Sequence, residues 1–191
     1  MTLNQTKYSK NKHGFTLIEV LVAVSIFVII MMISGSLYVV AQRSYNYSES
    51  KMELVQNGRV AFDRISRELR QSVEIATDLA TSSQTATQEI LFQNGHDTEE
   101  TTYVYYYLDN TDLRRAELAY YFSEAPGVYV KHNSRNEEDD LPEQTELENK
   151  IVGEHFRGLD FWQEDNLIQA SSTLSQEGKI FHLKTGIYSR N

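Results

Sequence analysis

Cysteine is missing from all 191 residues, which excludes disulfides and thiolate metal sites and leaves the hydrophobic core to hold the fold. Proline occurs twice, at Pro126 and Pro142, so nothing of that kind interrupts a helix anywhere between Phe15 and Ala76. Charge is nearly missing from Phe15 to Ala41, where Glu19 is the one charged residue in 27. Acid is missing from Met1 to Gly14, which carry Lys7, Lys10 and Lys12. Catalytic signatures are missing too. His13, His96, His132, His155 and His182 show no H-E-x-x-H spacing, and there is no G-x-S-x-G elbow. Gly153 and Gly158 have the glycine spacing of a phosphate loop, but Leu159 and Asp160 follow where Lys and Ser or Thr are required. The expectation is therefore a protein with no catalytic residues, no cofactor and no metal.

What is present begins with the apolar run. About 20 apolar residues cross the hydrocarbon layer as a helix, so Phe15 to Ala41 is long enough to span with some tilt. It is the one run of that length, which predicts a single transmembrane helix rather than a polytopic protein. The basic residues ahead of it predict an N-terminus held in the cytoplasm and everything after it outside. An acid inside such a run is expensive, about 2.5–3.5 kcal/mol for Asp at a helix centre, and is usually paired or functional. Glu19 therefore needs a partner. A secretory signal places its cleavage site after a short apolar core, whereas here the candidate glycine precedes a long one.

The stretch Gly14-Phe15-Thr16-Leu17-Ile18-Glu19-Val20-Leu21-Val22-Ala23, followed by an apolar helix, resembles the processing site of type IV prepilins and type II secretion pseudopilins. The resemblance implies cleavage by prepilin peptidase between Gly14 and Phe15, N-methylation of Phe15, and an assembly contact in which Glu19 pairs with the terminal amine of a neighbouring subunit. It further implies other pilin or pseudopilin subunits, an inner-membrane assembly platform and the lipid bilayer as partners. A loosening of the anchor helix in its outer part is expected at Gly35. Many major pilins close a C-terminal loop with a disulfide, and this chain departs from that pattern.

Removing the leader leaves 177 residues with 15 basic and 27 acidic side chains, a net charge of −12, which argues against nucleic acid as a partner. Beyond the span, Met52, Val55, Gly58, Phe62, Ile65, Leu69 and Val73 recur at spacings of three and four and predict an amphipathic continuation of the helix over 42–76. The other face carries Arg59, Asp63, Arg64, Arg67, Glu68 and Arg70, with Asp63/Arg67 and Arg64/Glu68 spaced for ion pairs. Residues 56–72 are similar to the post-anchor helix of J-type pseudopilins and PilW-type minor pilins, as is the C-terminal order of Val152 to Phe161 followed by a strand ending at Ser189 and Arg190.

A β-rich head is expected over 77–191. Thr77 to Gln88 reads as a loop, Glu89 to Gln93 as a short strand closed by Asn94-Gly95, and Thr101 to Leu108 with Glu117 to Phe122 as a hairpin turning at Asp109 to Asp112. Val128 to Lys131 is expected as a short strand. Ile151 to Phe161 and Ile180 to Tyr188 are expected to close the sheet, with Ile180, Leu183 and Ile187 in the core. With period two, Tyr103, Tyr105 and Tyr107 share one face and Val104, Tyr106 and Leu108 the other, as a half-buried strand requires. Glu137 to Asp140 lacks the glycine-punctuated spacing of a calcium loop and reads as a solvated turn.

The expected fold is α+β and pilin-like: a long N-terminal helix, transmembrane in its first half, packed on a mostly antiparallel sheet. The expected function is that of a minor subunit of a type IV pilus or type II secretion pseudopilus, at the tip or in the initiating complex. Its expected location is the bacterial inner membrane, then the filament. The alternative is a membrane-anchored exported binding or hydrolytic domain that joins no filament.

Overall fold

The computed structural model describes residues 14–96 and 100–188, without the side chain of Ser50. The leader lysines, His13, Ser189 and Arg190 lie outside the described residues. Helix α1 (Leu17–Gln71) is followed by strands β1 (Ile90–Gln93), β2 (Thr102–Asp109), β3 (Asp112–Tyr121), β4 (Glu143–Gly153), β5 (Phe156–Glu164), β6 (Leu167–Gln176) and β7 (Lys179–Tyr188). This is the expected α+β, pilin-like arrangement. The chain divides into two compact units, residues 1–48 and 49–191.

In the first unit every described side chain is exposed. The hydroxyls of Ser25 and Ser36 donate to the carbonyls of Leu21 and Ile33 at 2.9 and 2.8 Å, so these two polar side chains of the run are satisfied within their own helix. That is what an apolar solvent demands. Among the described residues α1 is the one helix long and apolar enough to cross a membrane. It is continuous through Gly35, where the sequence suggested a loosening.

In the second unit the helix buries Leu54, Ala61, Phe62, Ile65 and Leu69. These residues meet the inner faces of two antiparallel sheets, one ordered β1-β2-β3-β4 and the other β5-β6-β7. Ile90, Phe92, Val104 and Tyr106 come from the first sheet and Phe156, Leu159, Phe161, Leu174 and Ile187 from the second. The apolar stripe is shifted from the expected one: Met52 and Val73 are 70% and 47% exposed, while Leu54 and Ala61 are buried. Gly58 belongs to it because a β-carbon there would meet Leu183 and lie 3.3 Å from Leu174.

The helix ends at Gln71, short of the expected Ala76. The Ser72 hydroxyl donates to the Leu69 carbonyl at 2.8 Å, closing the last turn. Val73 N–H then bonds Gln93 and Ala76 N–H bonds Leu91, so the chain gives its backbone groups to the edge of β1 instead of to the helix. Gly95 sits where a β-carbon would run into the Gln71 carbonyl.

The β2–β3 hairpin turns where expected, with Asn110 at φ 57°. Three strand expectations are corrected. Val128 to Lys131 forms no strand; Val130 makes one bridge to Tyr120. Ile151 to Phe161 is two strands in different sheets, because the chain switches sheets at Glu154 and His155, with His155 at φ 68°. Strand β6 was not read from the sequence. Its inward residues include Ala170 and Ser172, too small and polar to show an apolar alternation, and the Ser172 hydroxyl is satisfied by the Gly158 carbonyl at 2.8 Å. Ile187 is buried and Leu183 packs on the core, but Ile180 is 64% exposed because it lies on the outer face of β7.

Candidate functional site

Gly14, Phe15 and Thr16 precede the helix and are exposed, Phe15 at 88%. The Gly14–Phe15 bond thus lies in an exposed, non-helical stretch. Thr16 is the helix N-cap. Its backbone N–H donates to Glu19 Oε2 at 2.8 Å, its hydroxyl donates to the same oxygen at 3.0 Å, and Glu19 N–H returns to the hydroxyl at 3.4 Å. This reciprocal arrangement is a capping box, and it sets the carboxylate against the positive end of the helix dipole. In the single chain Glu19 is therefore held by neutral donors within its own first turn. The signal Thr-x-x-Glu ahead of an apolar run was legible in the sequence and was missed there.

A second polar site joins the helix to the first sheet. Both expected helical pairs form, Arg64–Glu68 at 3.2 Å and Asp63–Arg67 at 3.6 Å. Glu68 also takes Arg115 of β3 at 3.0 Å and the Tyr106 hydroxyl at 2.8 Å. Arg115 is 7% exposed and reaches Glu148 at 3.2 Å and Glu117 at 3.5 Å. Burial alone would lower its guanidinium, but Glu68, the Tyr106 oxygen and Glu117 outweigh that and hold it above its ordinary value. Burial and then Glu68 push the Tyr106 phenol up. A groove of about 890 Å³ opens beside this network, lined by Arg59, Asp63, Arg64 and Arg67 of the helix and by His96 and Glu117. Arg115 was not read from the sequence, because the strand was expected to begin only at Glu117, whereas β3 begins at Asp112, and a charged residue gives no sign of being buried.

The tyrosines divide as period two requires. Tyr106 and Val104 join the main core; Tyr103, Tyr105 and Tyr107 form a separate cluster with Ala116 and Leu118 on the other face. The Tyr105 and Tyr107 rings stack at 4.8 Å, and the Tyr105 hydroxyl bonds Glu89. Burial first, and Glu89 second, raise the Tyr105 phenol. The turn at Glu137 to Asp140 is organised by Asn136, whose side-chain oxygen accepts the N–H groups of Glu138 and Asp140 at 3.0 and 2.8 Å. Among the described residues no three histidine or carboxylate side chains converge as a metal site.

Residues 9–35 match the family model described as the prokaryotic N-terminal methylation motif. No curated protein and no solved structure matches the chain. The match takes in Gly14, Phe15 and Glu19 together with the apolar run, and supports a type IV pilin-like or pseudopilin-like protein anchored by its N-terminal helix.

Proposed function

We propose that this chain is a minor subunit of a type IV pilus or type II secretion pseudopilus, cut between Gly14 and Phe15 by prepilin peptidase and N-methylated on Phe15. The observation that carries the reading is the junction itself: an exposed Gly14–Phe15 bond just before a helix whose apolar run to Ala41 has one charge, Glu19, at the third helical position and inside the methylation motif. The helix waits in the inner membrane with the leader inside and the head outside. Extraction by the assembly platform then exchanges lipid for the helices of other subunits. A separate cytoplasmic ATPase supplies the energy, since this chain has no nucleotide motif.

Glu19 has two roles in this reading. Before assembly it caps its own helix through Thr16. During assembly its charge takes the methylated amine of a neighbour, a cation the capping donors do not supply. Gln can cap but cannot carry the charge. Glu19→Gln is therefore expected to insert and be processed normally yet to fail in filament incorporation, as Glu19→Ala is. Normal incorporation of both variants would overturn the assembly role assigned to Glu19.

The subunit is placed at the tip or in the initiating complex. The similarity of residues 56–72 to J-type and PilW-type proteins supports this, as does the acidic head, whose repetition along a shaft would accumulate repulsion that salt only partly screens. Quantitative proteomics of sheared filaments tests it. A copy number close to that of the most abundant pilin overturns the placement, and a trace level, stoichiometric with a few other minor subunits, supports it.

A further inference from the structure

The two sheets of the second unit have four edges, and three are blunted. The edge of β1 is covered by the segment after the helix, through the Ile75–Phe92 bridge and the bonds of Val73 and Ala76. The edge of β5 is covered by the Thr87–Phe161 bridge and by Gln163 N–H donating to Ala80. The edge of β4 is interrupted by two register shifts against β3 and carries Glu143, Glu146 and Glu148. Bulges and charges of this kind are how proteins keep edge strands from pairing with other chains.

Strand β7 has no bulge and, among the described residues, no covering segment; its charges are the two lysines Lys179 and Lys184. All ten of its residues pair in unbroken register with β6, and among the described residues no other segment makes a backbone hydrogen bond to residues 180–188. Its inward face is also incompletely covered. The inward residues of β6 are fully buried, whereas Phe181 and Leu183, their neighbours on β7, are only partly so. Its outward face carries His182 and Lys184 with no carboxylate from Lys179 to Tyr188. Both are held in place: His182 Nδ1 lies 2.9 Å from the Thr173 hydroxyl, and Lys184 Nζ lies 4.8 Å from the centre of the Trp162 ring.

We infer that the free edge of β7 is a docking site for an extended segment of another filament subunit, which adds as a fourth strand and alternates apolar residues with carboxylates. Its apolar residues would close over Phe181 and Leu183, and its carboxylates would face His182 and Lys184 on the opposite side, since successive side chains of a strand point to opposite faces. A second copy of this chain does not meet these terms. Pairing β7 with β7 would set lysines and histidines against their own copies, and β4, though acidic, is broken by its two bulges. The inference rests on the proposed filament role.

The test uses the full chain in its native host, with the photocrosslinking amino acid p-benzoylphenylalanine at Ile180 and, as the control, at Leu147 on the bulged edge. Crosslinked peptides are identified by mass spectrometry in cells where N-methylated Phe15 and filament incorporation are measured in parallel. Crosslinks from position 180, well above those from 147, to an alternating apolar and acidic segment of another subunit are expected. Lys184→Glu should lower incorporation about twofold to fivefold, the size of one surface ion pair lost or reversed, and Lys184→Gln by less. Crosslinks confined to copies of this chain, or none above the control in a methylated and incorporated protein, overturn the edge assignment and leave the filament role standing. An unmethylated protein absent from filaments overturns both.

Discussion

Replacing Arg115 with Met removes the cation on which Glu68, Glu117 and Glu148 converge while nearly preserving side-chain length. Breaking a fully buried pair by removing one partner costs about 3–5 kcal/mol. Here the three carboxylates retain 21%, 25% and 46% of their exposure, so water recovers part of the loss and we expect about 2–3 kcal/mol. For a unit of this size each kcal/mol moves the melting temperature by about 3–4 °C, giving a fall of roughly 6–12 °C. The single tryptophan, Trp162, is 5% exposed and sits in the same unit, so its fluorescence in the detergent-solubilised full chain reports the transition. The sign of the pH dependence follows from the groups involved. In the native chain the Lys150 ammonium beside Glu148 holds that carboxyl below its ordinary range, so its contribution is present above the unfolded value of about 4.3 and is lost only as the pH falls through the lower, folded one. Between pH 7 and about 5 the native chain should therefore change little through this group. Adding Glu68→Gln to Arg115→Met should restore part of the loss. A melting temperature within about 2 °C of the native value would refute the account of Arg115 as the structural cation of this unit.

Other substitutions separate core from surface. Ile187→Ala should cost about 2–5 kcal/mol and Ile180→Ser less than about 0.5, as read from urea midpoints, because the first side chain is buried and the second is not. Gly58→Ile should cost about 1–3 kcal/mol by overpacking against Leu183 and Leu174; no loss in the same titration would contradict the packing. Thr16→Ala should fray the first turn of the helix by about 1 kcal/mol, seen as faster amide exchange at residues 17–19 in micelles, with exchange farther along the helix unchanged.

Legibility followed how far each structural cause reached along the chain. The long N-terminal helix, the turn of the β2–β3 hairpin and the division of tyrosines between two faces rest on local periodicity and turn chemistry, and they appear in the structure as read, although β3 begins at Asp112 instead of Glu117 and the helix is continuous through Gly35. The helix end did not, because nothing in Ser72 to Ala76 forbids helix; the competing partner is β1, some twenty residues later. Strand β6 hides behind Ala170 and Ser172, and the exposure of Ile180 depends on which face of β7 is covered. The Arg115 network needs four segments brought together. At the N-terminal site the residues were legible but the capping box was hidden behind the charge: an acid in an apolar run calls for a cation, whereas the first partner of Glu19 is its own N-cap, Thr16.

The central claim concerns what happens at Gly14 and Phe15. Mass spectrometry of the protein purified from cells with active prepilin peptidase measures it directly. The account predicts a chain that begins at Phe15 and carries one methyl group on its terminal nitrogen. A chain that retains Met1 to Gly14 under those conditions would contradict it.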